Sequence, residues 1–382
     1  MFRTLLSITS LAALATGARA ELPQLLVPQD YATIQAAADA VATGEEIVIS
    51  AGTYPESVTF TGKSTVNITC KGKVVIAPPS GDGLTLDGCD NVFIQNLRVK
   101  GGALGIRLVD CEQITFLKGG VEATTSHGIR LQGGTGSILQ QLTIRDAGED
   151  AINLAVGSLD FTDGTSIVSC KLINPGRDGV GINGSFNHVE LCKITGACRD
   201  GVTIDNTTPG DENVIKDTKI IKPARHGILI RGNDTHVEAC RISAPGGNGL
   251  DFAGGTVGFV QDSSFSKCGD HGIVLWGNHM TLDANKIARP LHDGVFASGA
   301  NHIVQDCTVS GAGTNGFEIV GTGGDYTGNT SVRAKLDGFL LTGTGNTLSA
   351  NTAKGSKGFD LDNLAPGDNT VEPDNNFKKT GP

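Results

Sequence analysis

Asp178-Gly179-Val180-Gly181-Ile182 shows the pattern that decides the fold: a polar residue, a glycine, then apolar, any residue, apolar. The phrase returns about every 22 residues, from Asp82-Gly83-Leu84 near the start to Lys357-Gly358-Phe359 near the end, and thirteen copies can be read. A fixed period of this size is typical of a solenoid, in which each repeat buries its apolar side only against its neighbours.

Each repeat contains three short pieces of alternating apolar residues, joined by turns with Gly or Asn. Three short strands per coil, each stacked on the same strand of the next coil, form three parallel sheets. The sequence therefore predicts an all-β chain, a right-handed parallel β-helix of about 13 rungs. Leucine-rich repeats have a similar period, but their Leu-x-x-Leu-x-Leu frame is absent.

The chain ends differ from the repeats. Residues 1–20 have the pattern of a bacterial signal peptide: Arg3, an apolar run at 5–15, and the small-x-small site Ala18-Arg19-Ala20. The alternative is a buried N-terminal helix. The signal pattern predicts an exported protein, periplasmic or secreted. The apolar run is too short to span a bilayer, and no later segment is long enough.

The remaining chain divides into three segments. Residues 21–60 form an N-terminal cap, with helical spacing at 31–42 and a strand at 47–49, which would cover the first sheet edge. Residues 61–361 form the β-helix, and 362–382 a polar tail rich in Asn and Asp. Because the tail need not cover the last rung, we expect that the chain can self-associate end to end.

Charge and cysteine content narrow the function. Without residues 1–20 the chain has 28 basic and 40 acidic residues, a balance of −12, which argues against general nucleic-acid binding. The nine cysteines include several in one repeat column, which favours free, buried thiols over disulfides. That column is predicted to contain Cys170, Cys192, Thr218, Cys240, Ser263, Asn285, Cys307, Thr330 and Asn351.

The phrase Thr33-Ile34-Gln35-Ala36-Ala37, the phrase at residues 52–56 and the Asp/His/Asn-Gly rungs resemble the pectin-lyase-like superfamily of right-handed β-helix proteins. The resemblance covers nearly the whole mature chain. Gly52-x-Tyr54-x-Glu56 is similar to the first pectin methylesterase motif, but the later motifs of that family and the polygalacturonase motifs are missing. The resemblance implies a ligand groove along the first sheet, formed by the Gly-apolar-x-apolar strands.

Side-chain alternation places candidate ligand contacts on the outer face of that sheet. The glycines are expected to form a flat floor for a chain-like ligand. Arg suits carboxylates, so Arg177, Arg199 and Arg225 on consecutive rungs, with Arg231 beside them, predict an acidic polysaccharide partner. The alternative is that neighbours such as Asp178 and Asp200 already neutralise the arginines.

Other outward positions complete the predicted substrate-binding set. Asp205, Asp251 and Asp270 are expected to point outward on the same sheet. Trp276, the only tryptophan, is expected to lie outside beside Phe296 and to offer a platform for a sugar ring; the alternative is a Trp covered by a turn. No cofactor is indicated, but acids in the longer turns at 154–166 and 206–213 could bind Ca²⁺.

The predicted catalytic residues are His226, His271, His292 and Arg225. Asp and Asn before the glycine are typical turn residues, whereas histidine is a poorer turn former and can take a proton near neutral pH. A cation beside a uronate carboxylate and a base for the neighbouring proton would suit a polysaccharide lyase or C5-epimerase. The alternative is a non-catalytic carbohydrate-binding or structural β-helix.

Overall fold

The chain forms a parallel β-solenoid with one short helix, in the computed structural model described here. The structure describes residues 22–156, 163–205, 212–365 and 367–381. The predicted signal peptide, residues 1–20, lies outside these residues. The described strands form two hydrogen-bonded sheets of 14 and 25 strands, and every strand pairing is parallel.

The first sheet contains 14 strands, one more than the predicted number of rungs. Twelve of them begin directly after the glycine position of the repeated phrase. The strand Val58–Thr61 follows Ser57 and has no copy of the phrase, and the last strand begins at Leu361, two residues later than the predicted copy Lys357-Gly358-Phe359 implies. The strands are Val58–Thr61, Leu84–Asp87, Ile106–Val109, Ile129–Gln132, Ile152–Ala155, Val180–Ile182, Val202–Ile204, Ile228–Ile230, Leu250–Phe252, Ile273–Leu275, Val295–Ala297, Phe317–Ile319, Phe339–Leu341 and Leu361–Asn363.

The 25-stranded sheet covers two faces of the coil, so the second and third predicted sheets are continuous. In the early coils single long strands run through both faces: Glu46–Tyr54, Ser64–Ile76, Asp90–Lys100, Thr115–Glu122 and Ile138–Arg145. In later coils the second face consists of Ser166–Val168, His188–Glu190, Val214–Lys216, Thr235–Glu238, Thr256–Gln261, Asn278–Asp283, Ile303–Gln305, Asp325–Thr327, Thr347–Ser349 and Thr370–Val371.

In these later coils, each third-face strand follows the second-face strand after a two-residue corner. The later strands of the third face are Lys171–Ile173, Lys193–Thr195, Lys219–Ile221, Arg241–Ser243, Ser264–Ser266, Lys286–Ala288, Thr308–Ser310, Thr330–Val332 and Thr352–Lys354. The coil is held in register because equivalent residues pair from rung to rung, as Val180 does with Val202, and Val202 with Ile228. The inward side chains of all three faces form one apolar core along the solenoid.

The N-terminal cap contains a strand that the sequence did not reveal, Gln24–Val27, and the helix Ile34–Ala40. Thr33 Oγ1 accepts the Ala36 N–H at 3.1 Å, and the Glu56 carboxylate accepts the N–H groups of Ile34 and Gln35 at 2.9 Å each. Glu56 therefore completes the helix N-terminus, which gives the phrase at residues 52–56 a structural role. Among the described residues, no helix is both long and apolar enough to cross a bilayer.

The polar tail continues the coil past its last full rung. Asn375 Oδ1 accepts the Asn351 N–H at 2.8 Å, and Asn369 Oδ1 accepts the Asn346 N–H at 2.9 Å. Phe377 packs on Phe339 with ring centroids 5.3 Å apart. The tail thus covers part of the last rung with hydrogen bonds and one aromatic contact, and end-to-end self-association stays a prediction.

All nine cysteines are free, as predicted, and eight are buried while Cys198 is exposed. The predicted column is wrong at one rung: Asn329, not Thr330, occupies it. Asn329 Oδ1 accepts the Cys307 N–H at 3.0 Å, and Asn351 Oδ1 accepts the Asn329 N–H at 2.9 Å. Thr330 pairs with Thr308 one position further along.

Candidate functional site

Polar side chains at the position before the first-sheet glycine form a ladder that runs from rung to rung. Asp150 Oδ1 accepts the Asp178 N–H at 3.0 Å, Asp178 Oδ1 accepts the Asp200 N–H at 3.0 Å, and Asp200 Oδ1 accepts the His226 N–H at 2.9 Å. These three aspartates are fully buried. Each ladder side chain satisfies a backbone donor at the corner of the next coil. The column therefore has a structural role, as the turn preference of Asp and Asn indicated.

His226 and His271 belong to the same ladder. His226 Nδ1 accepts the Asn248 N–H at 3.2 Å, which assigns the proton of the neutral ring to Nε2. Burial lowers the pKa of His226, which favours this neutral form. His226 therefore has no free lone pair with which to act as the base that the sequence predicted.

Each predicted substrate-binding arginine has a carboxylate partner. Arg199 Nε lies 2.7 Å from Asp178 Oδ1, and Arg225 Nε lies 3.0 Å from Asp200 Oδ1; in both pairs Nη2 contacts the second carboxylate oxygen. The remaining partners are Arg177 Nε with Asp150 Oδ1 at 3.4 Å, and Arg231 Nη1 with Asp205 Oδ1. The structure thus shows the ion-paired alternative.

The ion pairs shift the ionisation of their members. The hydrogen bond to Asp178 raises the pKa of Arg199, and that to Asp200 raises the pKa of Arg225. Burial alone would raise the pKa of Asp200, but its bonds from Arg225 and the His226 N–H outweigh burial and lower it. This part of the first sheet is therefore a neutralised surface rather than a row of free cations.

The predicted glycine floor is wrong. A Cβ on Gly201 would lie 2.4 Å from Ile220 Cγ2 and 2.5 Å from the Gly227 oxygen. The glycine column faces the core and the next coil, because the chain turns the corner at that point. Glycine is required there by packing, so these residues do not form an open surface for a ligand.

The outward residue in the middle of each first-sheet strand is also covered in the central rungs. Thr203 and Leu229 are each 2% exposed and Asp251 8% exposed. Thr203 Oγ1 donates to Asp200 Oδ2 at 3.3 Å, so the outward side chain folds against the ladder. The prediction that Asp251 is openly available to substrate therefore does not hold.

Asp251 is an unusual buried carboxylate. Its Oδ2 accepts from Asn248 Nδ2 at 2.9 Å, but its Oδ1 is buried without a hydrogen-bond partner. His226 Nε2 lies 3.9 Å from Oδ2. Burial raises the pKa of Asp251, since the charged form has lost water without full compensation.

The exposed part of the site lies further along the first sheet, at Trp276. This side chain is predominantly exposed, as predicted, with 53% of the residue accessible. Its ring centroid lies 5.2 Å from that of Phe296, which in turn lies 5.5 Å from the His271 ring. We call Trp276 and Phe296 the aromatic platform.

Asp270, His271 and His292 form a cluster beside the aromatic platform. His292 Nδ1 lies 2.6 Å from Asp270 Oδ1, and His271 Nε2 lies 3.3 Å from the same oxygen. Because a carboxylate can only accept, His292 donates from Nδ1 and its Nε2 holds the lone pair when the ring is neutral. No described residue is hydrogen-bonded to Nε2, so His292 is the predicted histidine best placed to act as a base.

His271 differs from His226 in its surroundings. Its Nδ1 lies 3.2 Å from both the Asp293 N–H nitrogen and Asp293 Oδ2. Burial disfavours the charged ring, but the carboxylates of Asp293 and Asp270 outweigh it and raise the pKa of His271. The His271 imidazole is therefore better suited to pairing with these carboxylates than to acting as a free base.

Within the described residues, Asp270, His271 and His292 are also the one group of three His, Cys, Asp or Glu side chains whose possible metal-ligand atoms lie within 4.8 Å of one another. Two imidazoles and a carboxylate suit Zn²⁺ or another transition metal better than Ca²⁺, which prefers oxygen ligands. Of the acids predicted to bind Ca²⁺, Asp160 and Asp211 lie outside the described residues. Asp163 Oδ1 accepts the Ser185 N–H at 2.5 Å.

Sequence reasoning missed Glu318, which follows Phe296 in the outward column of the next rung. Asn315 Nδ2 donates to Glu318 Oε2 at 3.1 Å. Burial and the neighbouring Asp293 raise the pKa of Glu318, which makes it a candidate proton donor beside His271. Its place in the column next to Phe296 was visible in the repeat alignment.

The comparisons with known proteins establish the class. The family described as right handed beta helix region matches residues 57–220 and 206–353, so the chain belongs to this family. No curated protein sequence matches the chain.

The chain is similar in structure to the tailspike protein of E. coli bacteriophage HK620, solved in complex with a pentasaccharide: 14% identity, 88% of this chain, 73% of that chain, TM-score 0.59. A tailspike variant solved with a hexasaccharide gives the same four values. A further tailspike variant has 13% identity over 89% of this chain and 75% of that chain, with a TM-score of 0.61. At these identities the likeness shows the fold alone.

Proposed function

We propose that this β-helix binds a polysaccharide along its first sheet, with the aromatic platform as the contact for a sugar ring. The observation that carries the proposal is the exposed Trp276, packed against Phe296 and bordered by polar side chains. An outward aromatic side chain can cover the apolar face of a sugar while neighbouring polar groups bond to its hydroxyls. The saccharides bound to the similar tailspikes support this choice of ligand class.

Acidic sugars are not specially favoured at this face. The predicted role of Arg177, Arg199, Arg225 and Arg231 required cations without partners, and each of these arginines is paired with an aspartate. Paired charges still present donors and acceptors together, which suits sugar hydroxyl groups. We therefore propose a ligand recognised at this face mainly through stacking and hydroxyl contacts.

Intrinsic fluorescence tests the proposal directly, because Trp276 is the only tryptophan. Titration with a panel of neutral and acidic oligosaccharides should change the emission for at least one member. Trp276→Ala, followed by calorimetry, should weaken that binding at least about tenfold. Leu364→Ala is the matched control, since Leu364 is 57% exposed in the same outward column but four rungs away.

Two results would reject the binding site. One is the absence of binding across the panel. The other is a ligand whose affinity is unchanged by Trp276→Ala.

A second candidate function is catalysis at the same face, as a polysaccharide lyase or C5-epimerase with His292 as the base. The specific observation is the 2.6 Å bond from His292 Nδ1 to Asp270, which orients the ring with Nε2 available. Glu318, with its raised pKa, would supply the proton that each reaction returns to the sugar or to the leaving group. Arg225 is paired with Asp200, so it is a weak candidate for neutralising a uronate carboxylate.

Mass spectrometry of glycans incubated with the protein in D₂O tests this candidate. Unsaturated products indicate a lyase, and deuterium uptake without cleavage indicates an epimerase. Either reaction should be abolished by His292→Gln with the melting temperature unchanged. Hydrolysis, or no turnover on ligands that bind, would reject proton abstraction by His292.

We propose export to the periplasm or the medium on the basis of residues 1–20. N-terminal sequencing of the protein recovered from the cell envelope should begin near Glu21. An intact residue 1 in the cytoplasmic fraction would contradict export.

A further inference from the structure

The third face carries a straight row of basic residues on four consecutive rungs. Lys171 pairs with Lys193, Lys193 with Lys219, and Lys219 with Arg241 in the strand register, so their side chains lie in one column with a spacing of about 4.8 Å. All four are exposed. No ion pair or side-chain hydrogen bond joins any of them to another residue in the described part of the chain. We call these four residues the basic row.

The fold does not require basic side chains at this position. The same column holds Thr308, Thr330 and Thr352 in the later rungs. Like charges stacked at this spacing repel one another unless anions lie nearby. No acidic residue occupies the column from Arg98 to Lys286, although the chain has 40 acids and a net charge of −10.

Towards the N-terminus the row leads into a basic groove. The column runs from Lys171 through Thr143 and Gly120 to Arg98. There a groove of about 660 Å³ is lined by Lys73, Arg98, Lys100 and Arg145, and an adjoining one of about 660 Å³ by Lys73, Arg98 and Lys118.

The groove has a single acid on its wall, Glu122, which lies 3.4 Å from Lys100 and neutralises only that cation. From Lys73 to Arg241, the basic residues of the groove and the basic row extend over eight rungs, a strip of about 34 Å.

We propose that this strip binds a linear acidic polysaccharide lying along the solenoid axis. Cations at the β-sheet spacing match a straight polymer with anionic groups at short, regular intervals, and lysine binds such groups as a point charge without demanding one geometry. On the third face, the outward positions of these strands carry no aromatic side chain for stacking on nucleic-acid bases. The site is separate from the aromatic platform and does not depend on the proposed function of the first sheet.

Calorimetric titration with oligogalacturonate at several salt concentrations tests the proposal, with neutral dextran as the control ligand. The test variant is Lys171→Gln/Lys193→Gln/Lys219→Gln. The matched control is Lys335→Gln/Lys357→Gln/Lys378→Gln, which removes the same charge from exposed lysines near the C-terminal end. A third variant replaces Lys171, Lys193 and Lys219 with Arg, which keeps the charge of the row.

The wild type should bind oligogalacturonate with an affinity that falls as salt rises. The Gln variant of the row should lose at least about tenfold in affinity and show a shallower salt dependence, because fewer counterions are released. The matched control and the Arg variant should stay within about twofold of the wild type.

Several outcomes would overturn the proposal. Equal losses in both Gln variants would mean that only net charge matters. Loss on Trp276→Ala but not on changing the row would place the acidic ligand on the first sheet. Absence of oligogalacturonate binding at low salt, or preferential binding of duplex DNA or anionic vesicles, would reject an acidic polysaccharide as the occupant.

Discussion

The first sheet and the third face both carry basic residues on consecutive central rungs, but they hold them differently. On the first sheet, Arg199 and Arg225 are bonded to buried aspartates of the preceding rung. On the third face, Lys171, Lys193 and Lys219 are exposed and have no such partner among the described residues. A row of cations in a solenoid therefore predicts an anionic ligand only when the neighbouring column has no acidic residues that pair with it.

The two sets of cations differ in their partners because different residues stand next to them in the chain. The first-sheet arginines stand one residue from the ladder, where Asp and Asn are needed to accept backbone N–H groups. The lysines instead follow the small residues of the cysteine column, such as Cys192 and Thr218, which offer no charge. The same acids that hold the coil together thus neutralise one face and leave the other basic.

The largest expected effect comes from breaking a buried pair on the first sheet. Asp200→Ala removes the acceptor of both Arg225 and the His226 N–H, so unfolding at pH 7 should be easier by about 3 kcal/mol. Asp205→Ala is the control, because its pair with Arg231 is exposed and should be worth about 1 kcal/mol or less. Guanidinium unfolding measures both, and equal losses would contradict the ladder as the stabilising element.

The same pair predicts a pH dependence. The folded pKa of Asp200 is lowered below its ordinary value of 3.8, so its contribution is fully present above pH 3.8 and is lost as the pH falls below it through the folded pKa. The stability difference between wild type and Asp200→Ala should therefore shrink only in acid. A difference that shrinks between pH 5 and pH 7 would contradict this assignment.

Filling the inward glycine column should have the next largest effect. Gly201→Ala places a methyl group against Ile220 and the next coil, and should cost about 2 kcal/mol. Gly254→Ala, where a Cβ would meet nothing within 4 Å, should change stability little. If Gly201→Ala were neutral in thermal unfolding, the column would be an open floor after all.

Asp251→Asn should stabilise the protein by about 1 kcal/mol at neutral pH, because it removes a buried charge with one unpartnered oxygen. The asparagine oxygen can still accept from Asn248. Burial raises the folded pKa of Asp251 above the ordinary 3.8, so the carboxylate costs stability as the pH rises from 3.8 to the folded pKa. The gain from Asp251→Asn should therefore vanish below pH 3.8. Melting temperatures of both proteins across pH test this sign, and destabilisation at pH 7 would contradict it.

The smallest effect is expected on the third face and has the opposite sign to that of Asp200→Ala. Lys193→Gln relieves repulsion within the basic row, and should stabilise by about 0.3 kcal/mol at low salt. The gain should disappear at high salt, where the repulsion is screened. A loss of stability at low salt would mean that Lys193 has a partner and that the row is not free.

The sequence predicted the architecture because the period is a property of neighbouring positions in the chain. The solenoid, the capping helix and the outward Trp276 all follow from spacing and alternation. The extra first-sheet strand was missed because Ser57 stands where the phrase has glycine, and Asn329 was misplaced by one residue because two polar residues stand side by side there.

The site was less predictable because its charges are decided between rungs. The ion pair of Arg225 joins it to a residue 25 positions earlier, and the tautomer of His226 depends on a backbone N–H 22 positions later. The inward direction of the glycines depends on how the chain turns each corner. The basic row was not predicted, although Lys171, Lys193 and Lys219 each directly follow a residue of the predicted column.

Amine labelling with mass spectrometry tests most directly the central claim that the third face, unlike the neutralised first sheet, has cations available to an acidic ligand. The protein would be labelled with and without oligogalacturonate, and the modification of each lysine compared. Our account predicts protection of Lys171, Lys193 and Lys219, with Lys335, Lys357 and Lys378 unchanged. Unchanged labelling of the basic row under conditions of saturated binding would contradict it.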